Sequence, residues 1–364
     1  MTLWTSIAPV LATGGRLTYD QSRSMMGEVM SGVVDDVQLA AFLSFITLRG
    51  VDVTELRGLA DEMQANARQI DLPHNVVDIV GTGGDGAQTV NISTMASVVI
   101  AAAGFPVVKH GNRASTSKSG SADVLEALGV NLELSPREIV GAFDECGIAF
   151  LFANNFHPSM RYAARVRRDL GFPTVFNILG PLTNPARPAA SAVGVARESM
   201  APLVAGVFQQ RGTSAFVFRG TEVGLDELST IEPAEIWETR NGHLTESVID
   251  PALLLDLPRA ELRQLRGGGP AENARVARAV FDGAPGPIAD AVALNAAIGI
   301  VAAEGQAEAG ETSWVVGQDE EGVSRDALVS LEDRLIDAYT KARTALEDGA
   351  AAAKLDAWVN ATSR

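Results

Sequence analysis

A glycine-rich segment has the composition of a phosphate-binding loop. Gly81-Thr82-Gly83-Gly84-Asp85-Gly86 follows a short apolar run and precedes Asn91-Ile92-Ser93-Thr94, which is predicted to open a helix. Glycine allows the backbone to approach a phosphate closely, and the free amides at the start of a helix bind anions. For the glycines taken alone, a tight turn without a ligand is the alternative.

A serine-rich segment and an acidic pair add to this prediction. Residues 115–121 offer hydroxyls and amides just before another predicted helix, although such a stretch is more commonly a solvated loop. Asp226 and Glu227 are adjacent carboxylates in a glycine-flanked loop, and such a pair can hold a Mg²⁺ that also contacts a diphosphate. Two anion-binding segments with Lys109 and Arg113 between them suit a ligand that carries phosphate at both ends.

Other nucleotide-binding patterns fit less well. In a dinucleotide-binding fold, the helix would begin within the glycines and the next strand would end in an acidic residue that holds ribose. Here that strand ends in Lys109-His110-Gly111-Asn112-Arg113, which disfavours NAD and leaves NADP open. The P-loop pattern G-x-x-x-x-G-K-[ST] does not occur.

The charge of the chain argues against nucleic acid and anionic membranes as partners. Its 364 residues carry 29 Lys and Arg against 45 Asp and Glu, a net charge of −16, which phosphate backbones would repel. The single cysteine, Cys146, cannot close an intramolecular disulfide, and the four scattered histidines do not suggest a zinc cluster. With no export signal and no run of about 18 apolar residues, we expect a cytoplasmic protein without a membrane span.

The periodicity of apolar residues predicts an α/β fold preceded by short helices. Three helices are expected in the first seventy residues, from Thr18 to Gly32, from Asp36 to Gly50 and from Thr54 to Met63. Their uncovered apolar faces need the rest of the chain or a second copy.

Beyond Leu72 the period becomes strand, helix, strand. Predicted strands are residues 76–80, 105–108 and 215–218, and predicted helices are residues 98–103, 122–128, 161–170, 271–281, 288–303 and 330–346. Asn241-Gly242 predicts the turn of a hairpin.

Several motifs, taken in order, resemble the anthranilate phosphoribosyltransferase family. They are Gly81 to Asp85, Asn91 to Thr94, Lys109 to Arg113, the serine segment with Gly120-Ser121-Ala122-Asp123, Phe176 to Pro185, Gly224 to Glu227 and Asn295 to Ala297. The resemblance covers nearly the whole chain.

This resemblance implies an α/β architecture shared with pyrimidine nucleoside phosphorylases. A small all-helical domain would comprise residues 1–72, with the helical segment of about residues 160–190 packing onto it. A larger α/β domain with a central mixed sheet would comprise residues 73–159 and 191–364 and bind 5-phosphoribosyl 1-diphosphate (PRPP). The family's enzymes are typically homodimers that pair through the helical domain.

The implied reaction transfers the phosphoribosyl group of PRPP to the amine of anthranilate in tryptophan biosynthesis, with two Mg²⁺ ions per monomer. The substrate-binding residues implied are Gly81, Gly84, Asp85, Thr89, Asn91, Ile92, Ser93, Thr94, Lys109, His110, Gly111, Asn112, Arg113, Ala114, Ser115, Thr116, Ser117, Ser121 and Arg167. Ser93, Asp226 and Glu227 resemble the metal ligands. Lys109, Asn112 and Arg167 resemble the catalytic residues, with Asn112 and Arg167 on anthranilate.

Two positions depart from the family pattern, and alternatives stay open. Asn154 stands where the family usually has proline, and Phe172-Pro173 precede Thr174 where many members have arginine. His157 resembles a pocket-wall residue, but a packing histidine is an equal alternative. The rival functions are a pyrimidine nucleoside phosphorylase, a transferase to another aromatic amine, a nucleic-acid-binding relative without catalysis and an NADP-dependent oxidoreductase.

Overall fold

A computed structural model describes residues 2–114, 117–311 and 329–363, and for residues 306–311 it describes the backbone alone. The chain begins with four helices: α1 (Leu3–Ala12), α2 (Tyr19–Ser31), α3 (Asp36–Arg49) and α4 (Val53–Ala65). The Thr18 hydroxyl accepts from the Gln21 amide, and the Gln21 side chain accepts from the Thr18 amide, which starts α2 as the sequence predicts. Gly32 ends α2 at φ 74°. Helix α1 is an element that the sequence analysis did not single out.

The remaining elements alternate between strands and helices before ending in helices. The strands are β1 (Val77–Gly81), β2 (Val107–Gly111), β3 (Ile148–Phe152), β4 (Ala190–Gly194), β5 (Ser214–Gly220), β6 (Ala234–Arg240) and β7 (His243–Ile249). The helices are α5 (Ile92–Ala102), α6 (Ser121–Leu128), α7 (Pro136–Cys146), α8 (Ala153–Phe156), α9 (Arg161–Leu170), α10 (Phe176–Leu179), α11 (Ala201–Arg211), α12 (Pro251–Leu254), α13 (Pro270–Phe281), α14 (Pro287–Glu311), α15 (Leu331–Glu347) and α16 (Ala350–Thr362). Short 3₁₀ turns cover Pro158–Met160, Gly180–Leu182, Glu198–Met200 and Leu262–Gln264.

The seven described strands form one mixed sheet in the order β3-β2-β1-β4-β5-β6-β7. Strands β1 to β5 pair in parallel, whereas β6 and β7 pair antiparallel. The mixed sheet confirms the predicted fold class. Because β2 and β4 lie on opposite sides of β1, the chain changes direction there, and ligands bind beside the carboxyl ends of strands at such a point.

Two large apolar cores, and a smaller cluster that includes Val108 of β2 and Leu151 of β3, cover the two faces of the sheet. One packs α5, α13, α14, α15 and α16 against residues such as Ile79 and Phe216. The other joins α1 to α4 and α9 with α11 and the opposite face, including Val193 and Val217. The N-terminal helices therefore pack through α11 onto the sheet that carries the glycine loop.

Some elements differ from their prediction. Strand β2 runs from Val107 to Gly111 rather than from residue 105 to 108, because Pro106 cannot donate a ladder hydrogen bond and Lys109 and His110 continue the strand. The alanine cluster at residues 350–353 opens α16, a helix that the sequence analysis missed. The Asn241-Gly242 hairpin is confirmed, and both residues have positive φ, 51° and 77°.

One stretch of α14 has the length and apolar character of a membrane span. Within the described residues, Pro287–Gly305 is long and apolar enough to cross a membrane, but 72% of its apolar window is buried inside the fold. It is the central helix of one core, packed against α5 and α15.

Candidate functional site

The glycine loop lies at the carboxyl end of β1, directly against Asp226. The Gly83 amide donates to Asp226 Oδ2 at 2.6 Å. A Cβ at Gly81 would collide with the same carboxylate, and a Cβ at Gly194, at the end of β4, would collide with the Asp226 carbonyl oxygen. Glycine at both strand ends is therefore what lets Asp226 enter the sheet edge.

Three carboxyl groups, those of Asp85, Asp226 and Glu227, lie close together at this end of β1, and their negative charges are only partly balanced by nearby positive charge. Asp226 and Glu227 are only 7% and 8% exposed. Burial, and next the charge of Asp85, raise the pKa of Asp226 to about 7; burial and the charge of Asp226 raise the pKa of Glu227 well above its usual value. Oδ2 of Asp85 is buried without a hydrogen-bond partner among the described residues. The cluster is thus suited to a divalent cation, which would relieve the repulsion.

The protein donors alone do not complete a metal shell. Within the described ranges, no group of three or more His, Cys, Asp or Glu has the arrangement of a metal site. A Mg²⁺ here would take the rest of its ligands from substrate oxygens and water, as it commonly does.

Lys109 lies beneath this cluster rather than at its surface. Its buried ammonium donates to the Ile79 carbonyl oxygen and, at 3.3 Å, to Ser93 Oγ. Burial lowers the pKa of Lys109, and the charges of Asp78, Glu227 and Asp226 act in the opposite direction. Lys109 therefore places a buried positive charge next to the carboxylate cluster.

The start of α5 joins the glycine loop to the acidic pair. The Ser93 amide donates to Glu227 Oε1 at 3.2 Å. Ile92 was among the implied substrate contacts, but its side chain is fully buried in the core and leaves only its backbone near the loop. Helix α5 begins after the glycines, which disagrees with a dinucleotide-binding loop, where the helix starts within them.

Asn91 and Thr94 tie this helix to the serine segment. Asn91 Nδ2 donates to the Ser119 carbonyl oxygen at 3.0 Å, and Thr94 Oγ1 donates to Ser121 Oγ at 3.0 Å. Asn273, which the sequence analysis missed, donates to Asn91 Oδ1 at 2.8 Å. The two anion-binding segments predicted from the sequence are thus brought together, with Asn91 serving partly as a brace between them.

Asp123 closes the base of the serine segment, a role that the sequence analysis missed although it quoted the residue within a motif. Asp123 Oδ2 accepts from the amides of Ala114 at 2.9 Å and Gly120 at 2.8 Å. Arg113 pairs with Asp123 at 3.0 Å and Glu126 at 2.6 Å, so a phosphate would compete with two carboxylates for its guanidinium. The signal available for Asp123 was its place in the first turn of a predicted helix, where a carboxylate can accept from the amides at the helix start.

The remaining implied phosphate contacts lie in or beside these segments. Gly84 has φ 87°, Thr89 forms a bridge with Arg266, Gly111 ends β2, and Ser117 Oγ donates to the Ser119 carbonyl oxygen at 3.3 Å. Ser115 and Thr116 lie outside the described residues.

Arg167 lies on α9, the helix that packs on α2 and α3. Its guanidinium is half-buried and stacks on Phe176 at 5.1 Å from the ring centroid. Burial lowers its pKa, and no described side chain forms an ion pair or hydrogen bond with it. An arginine in this state is available to a planar anion.

Asn112 is exposed, and its Oδ1 accepts from the Arg113 amide at 2.8 Å. No hydrogen bond joins it to Arg167 in the described part of the chain. The segment that begins at Phe176 connects α9 with β2 instead. Arg167 of α9 stacks on Phe176, and His110 of β2 contacts the carbonyl oxygen of Gly180 in the same segment.

His110 and His157 hold that segment. His110 Nδ1 lies 3.2 Å from the Gly180 carbonyl oxygen, and His157 Nε2 lies 3.0 Å from that of Thr183. Their ring centroids are 5.2 Å apart. Burial lowers the pKa of His110 to about 3 and that of His157 to about 4, so both are neutral near pH 7.

We expect His157 to make stability depend on pH. The unfolded histidine binds a proton below its usual pKa of about 6.5, whereas the folded one stays neutral down to about 4, so stability is lost as pH falls below 6.5. The unfolding free energy of the wild type relative to His157→Gln should fall by about 2 kcal/mol between pH 7 and pH 5. Urea unfolding at both pH values measures it, and a constant difference would contradict a histidine held neutral.

A buried polar network that the sequence analysis missed connects this region to the helices. Asn184 Nδ2 donates to Asp78 Oδ2 at 2.9 Å and to the Val108 carbonyl oxygen at 2.8 Å, while Gln64 of α4 donates to the Asn184 carbonyl oxygen at 2.8 Å. The His110 amide donates to Asp78 Oδ1 at 3.1 Å, and burial raises the pKa of Asp78 to about 6. The signal in the sequence was an aspartate inside an apolar strand.

Comparisons with known proteins agree with this architecture. Residues 73–352 match the glycosyl transferase family a/b domain, and residues 10–67 match the helical bundle domain of the same family. Anthranilate phosphoribosyltransferase from Thermobifida fusca (strain YX) is 48% identical over 359 residues, which cover 99% of this chain and 97% of that protein.

Solved structures give the same result. The crystal structure of anthranilate phosphoribosyltransferase from Thermus thermophilus superposes with a TM-score of 0.85 at 37% identity, covering 100% of each chain. The enzyme from Saccharomyces cerevisiae in complex with PRPP and Mg superposes with a TM-score of 0.83 at 26% identity, covering 99% of this chain and 98% of the other. On these matches, the chain belongs to the anthranilate phosphoribosyltransferase family.

Proposed function

We propose that this chain transfers the phosphoribosyl group of PRPP to the amine of anthranilate, giving N-(5-phosphoribosyl)anthranilate and diphosphate for tryptophan biosynthesis. The observation that carries the proposal is the convergence of the glycine loop, the start of α5 and the serine segment on one buried carboxylate cluster. Asn91 and Thr94 hold the segments together, and Glu227 accepts from the Ser93 amide. Such a site fits a substrate with phosphate at both ends.

The donor set of the cluster fits Mg²⁺. Asp226, Glu227 and Ser93 would hold the metal, which supplies positive charge to the departing diphosphate. Two ions per monomer are part of the proposal, since Asp226 with Glu227 and Ser93 with the diphosphate are two separate donor sets. The yeast relative with bound PRPP and Mg supports metal use.

The rest of the chemistry is charge neutralisation and orientation. Loss of diphosphate from the sugar leaves positive charge on the ribose and negative charge on the leaving group, so the loop amides and Lys109 favour departure electrostatically. Asn112 and Arg167 would hold anthranilate with its amine in line, and the free guanidinium of Arg167 suits a carboxylate. No general base is required of the chain.

A pyrimidine nucleoside phosphorylase is the nearest rival, and product analysis separates the two. Incubated with PRPP and Mg²⁺, the protein should consume anthranilate and release diphosphate in equal amounts. With inorganic phosphate it should leave thymidine and uridine intact. Phosphorolysis of either nucleoside, or transfer to a different aromatic amine in preference to anthranilate, would contradict the proposal.

A homodimer that pairs through the helical domain is also part of the proposal. Val37 and Leu48 are 79% and 86% exposed, and eleven residues of α-helix place them within about 20° of each other on α3. Val33, just before this helix, is 68% exposed. A second copy of the chain would cover these apolar side chains.

We expect Val37→Asp combined with Leu48→Asp to halve the molar mass measured by light scattering after size-exclusion chromatography. Two buried charges per subunit cost far more at an interface than on a free surface. Val248→Asp is the control, because Val248 is also an apolar residue with an exposed side chain, on β7. A wild type that elutes as a monomer, or a double variant that remains dimeric, would contradict pairing through this face.

Two further assignments stay proposals. The boundaries of the domains, residues 1–72 with about 160–190 and residues 73–159 with 191–364, are supported by the packing of α9 on α2 and α3. A cytoplasmic location is supported by the single buried cysteine, which forms no disulfide in the described structure.

A further inference from the structure

A buried carboxylate holds the loop that leads into Asp226 and Glu227. Glu232 is only 2% exposed, although it lies between that loop and β6. Its Oε2 accepts from the amides of Glu222 and, at 2.6 Å, Val223, while Oε1 accepts from the Leu225 amide at 3.3 Å. One side chain thereby satisfies the amides of three of the four residues that precede Asp226.

These bonds are of a strong kind. Hydrogen bonds from backbone amides to an ionised carboxylate are shorter and stronger than those between neutral groups. Leu225 is fully buried, and a buried amide that loses its acceptor bears the full cost of desolvation. The conformation of the loop from Thr221 to Leu225 therefore depends on the Glu232 carboxylate more than on local turn preference.

Side chains from elsewhere in the fold hold the backbone on both sides of Asp226 and Glu227. On the upstream side, Glu232 holds Leu225, whose carbonyl oxygen also accepts from the Gly220 amide at 2.9 Å. On the downstream side, Asn295 of α14 accepts from the Leu228 amide at 3.1 Å and donates to the Leu228 carbonyl oxygen at 2.8 Å. Asp226 and Glu227 are the two residues between the anchored Leu225 and Leu228, so their backbone has little conformational freedom.

We propose that Glu232 is a positioning residue that holds Asp226 and Glu227 in the geometry in which they bind Mg²⁺ with PRPP. The proposal rests on the proposed function, since it assumes that this pair binds the metal. Glu232 would not contact metal or substrate. Outer residues that orient metal ligands typically change metal affinity by about 10- to 100-fold when replaced.

The test compares Glu232→Gln with Glu235→Gln. The glutamine keeps the size of the side chain but turns an NH₂ group toward loop amides that need an acceptor. Glu235 is three residues further along the chain, at the start of β6, and its carboxylate pairs with Arg219 at 2.9 Å rather than with the loop. Mn²⁺ serves as the probe, and the free ion is counted by electron paramagnetic resonance with PRPP present.

We expect Glu232→Gln to weaken Mn²⁺ binding by about tenfold and to raise the half-saturating Mg²⁺ concentration for turnover by a similar factor. The KM for anthranilate should stay within about twofold of the wild type, because Arg167 lies on a different element. Glu235→Gln should bind Mn²⁺ as the wild type does. Glu232→Asp keeps the charge but withdraws it by one methylene, so its affinity should be intermediate, and it decides the question if the glutamine variant does not fold.

Three results would overturn the inference. Unchanged Mn²⁺ affinity in Glu232→Gln, with or without a lower melting temperature, would mean that the residue is only structural. Equal weakening in Glu235→Gln would mean that any change near the start of β6 disturbs the site. A wild type that binds no Mn²⁺ with PRPP would overturn the proposed metal site and this inference with it, whereas wild-type binding with an unaffected Glu232→Gln overturns the inference alone.

Discussion

Replacing Arg167 with alanine is expected to lower kcat/KM for anthranilate by about 100-fold, because two charge-assisted hydrogen bonds to the substrate carboxylate are worth about 3 kcal/mol together. The KM for PRPP should stay within about threefold. The structure supports this asymmetry: the guanidinium is half-buried against Phe176 and has no partner among the described side chains. Steady-state kinetics with each substrate varied in turn measures both values.

The conservative replacement and a neighbour make the test specific. Arg167→Lys should recover little, since an ammonium cannot pair with a carboxylate through two parallel bonds. Arg165→Ala is the matched control on the same helix, where the side chain is 72% exposed. Equal increases in the KM for PRPP and for anthranilate in Arg167→Ala would count against an anthranilate contact.

Replacing Asp226 with asparagine and Glu227 with glutamine is expected to have the largest effect on turnover. Loss of the metal carboxylates should lower kcat by about 1000-fold and flatten the dependence on Mg²⁺, because the leaving diphosphate loses its main source of positive charge. Rates measured over a range of Mg²⁺ concentrations test this. A double variant that keeps the Mg²⁺ dependence of the wild type would remove the pair from the metal site.

The same double variant should be more stable than the wild type when Mg²⁺ is withheld. Burial, with the charge of Asp85, raises the pKa of Asp226 to about 7, and burial, with the charge of Asp226, raises the pKa of Glu227, so ionising these groups at pH 8 costs the folded protein free energy. Neutral amides of the same size remove that cost, a trade of stability for function that is common at active sites. Glu246→Gln, on the exposed face of β7, is the control and should change neither property.

Local signals in the sequence account for much of the fold. Thr18, Gln21 and Gly32 determine where α2 begins and ends through hydrogen bonds within a few residues, so the sequence shows them directly. Asn241-Gly242 sets its hairpin in the same way. The end of β2 and the whole of α16 were missed, because charged residues continue the strand in a buried setting and an alanine cluster carries no pattern of its own.

The site was predictable where residue types carry the chemistry, and not where it depends on distant contacts. The glycine loop and the acidic pair stood out in the sequence, but the bond between Gly83 and Asp226 spans 143 residues and appears only in the folded chain. The hydrogen bond between Asn184 and Asp78, and those between Glu232 and the loop amides, likewise appear only in the folded chain. Glutamate is common on surfaces, so nothing local marked Glu232 as buried.

The measurement that tests the proposed function most directly is the loss of anthranilate fluorescence on addition of PRPP, with and without excess EDTA. We expect a decay that requires PRPP and Mg²⁺ and stops in EDTA, accompanied by one diphosphate for each anthranilate consumed. Fluorescence that stays constant with PRPP and Mg²⁺ present, or a decay unaffected by EDTA, would contradict the metal-assisted transfer proposed for this site.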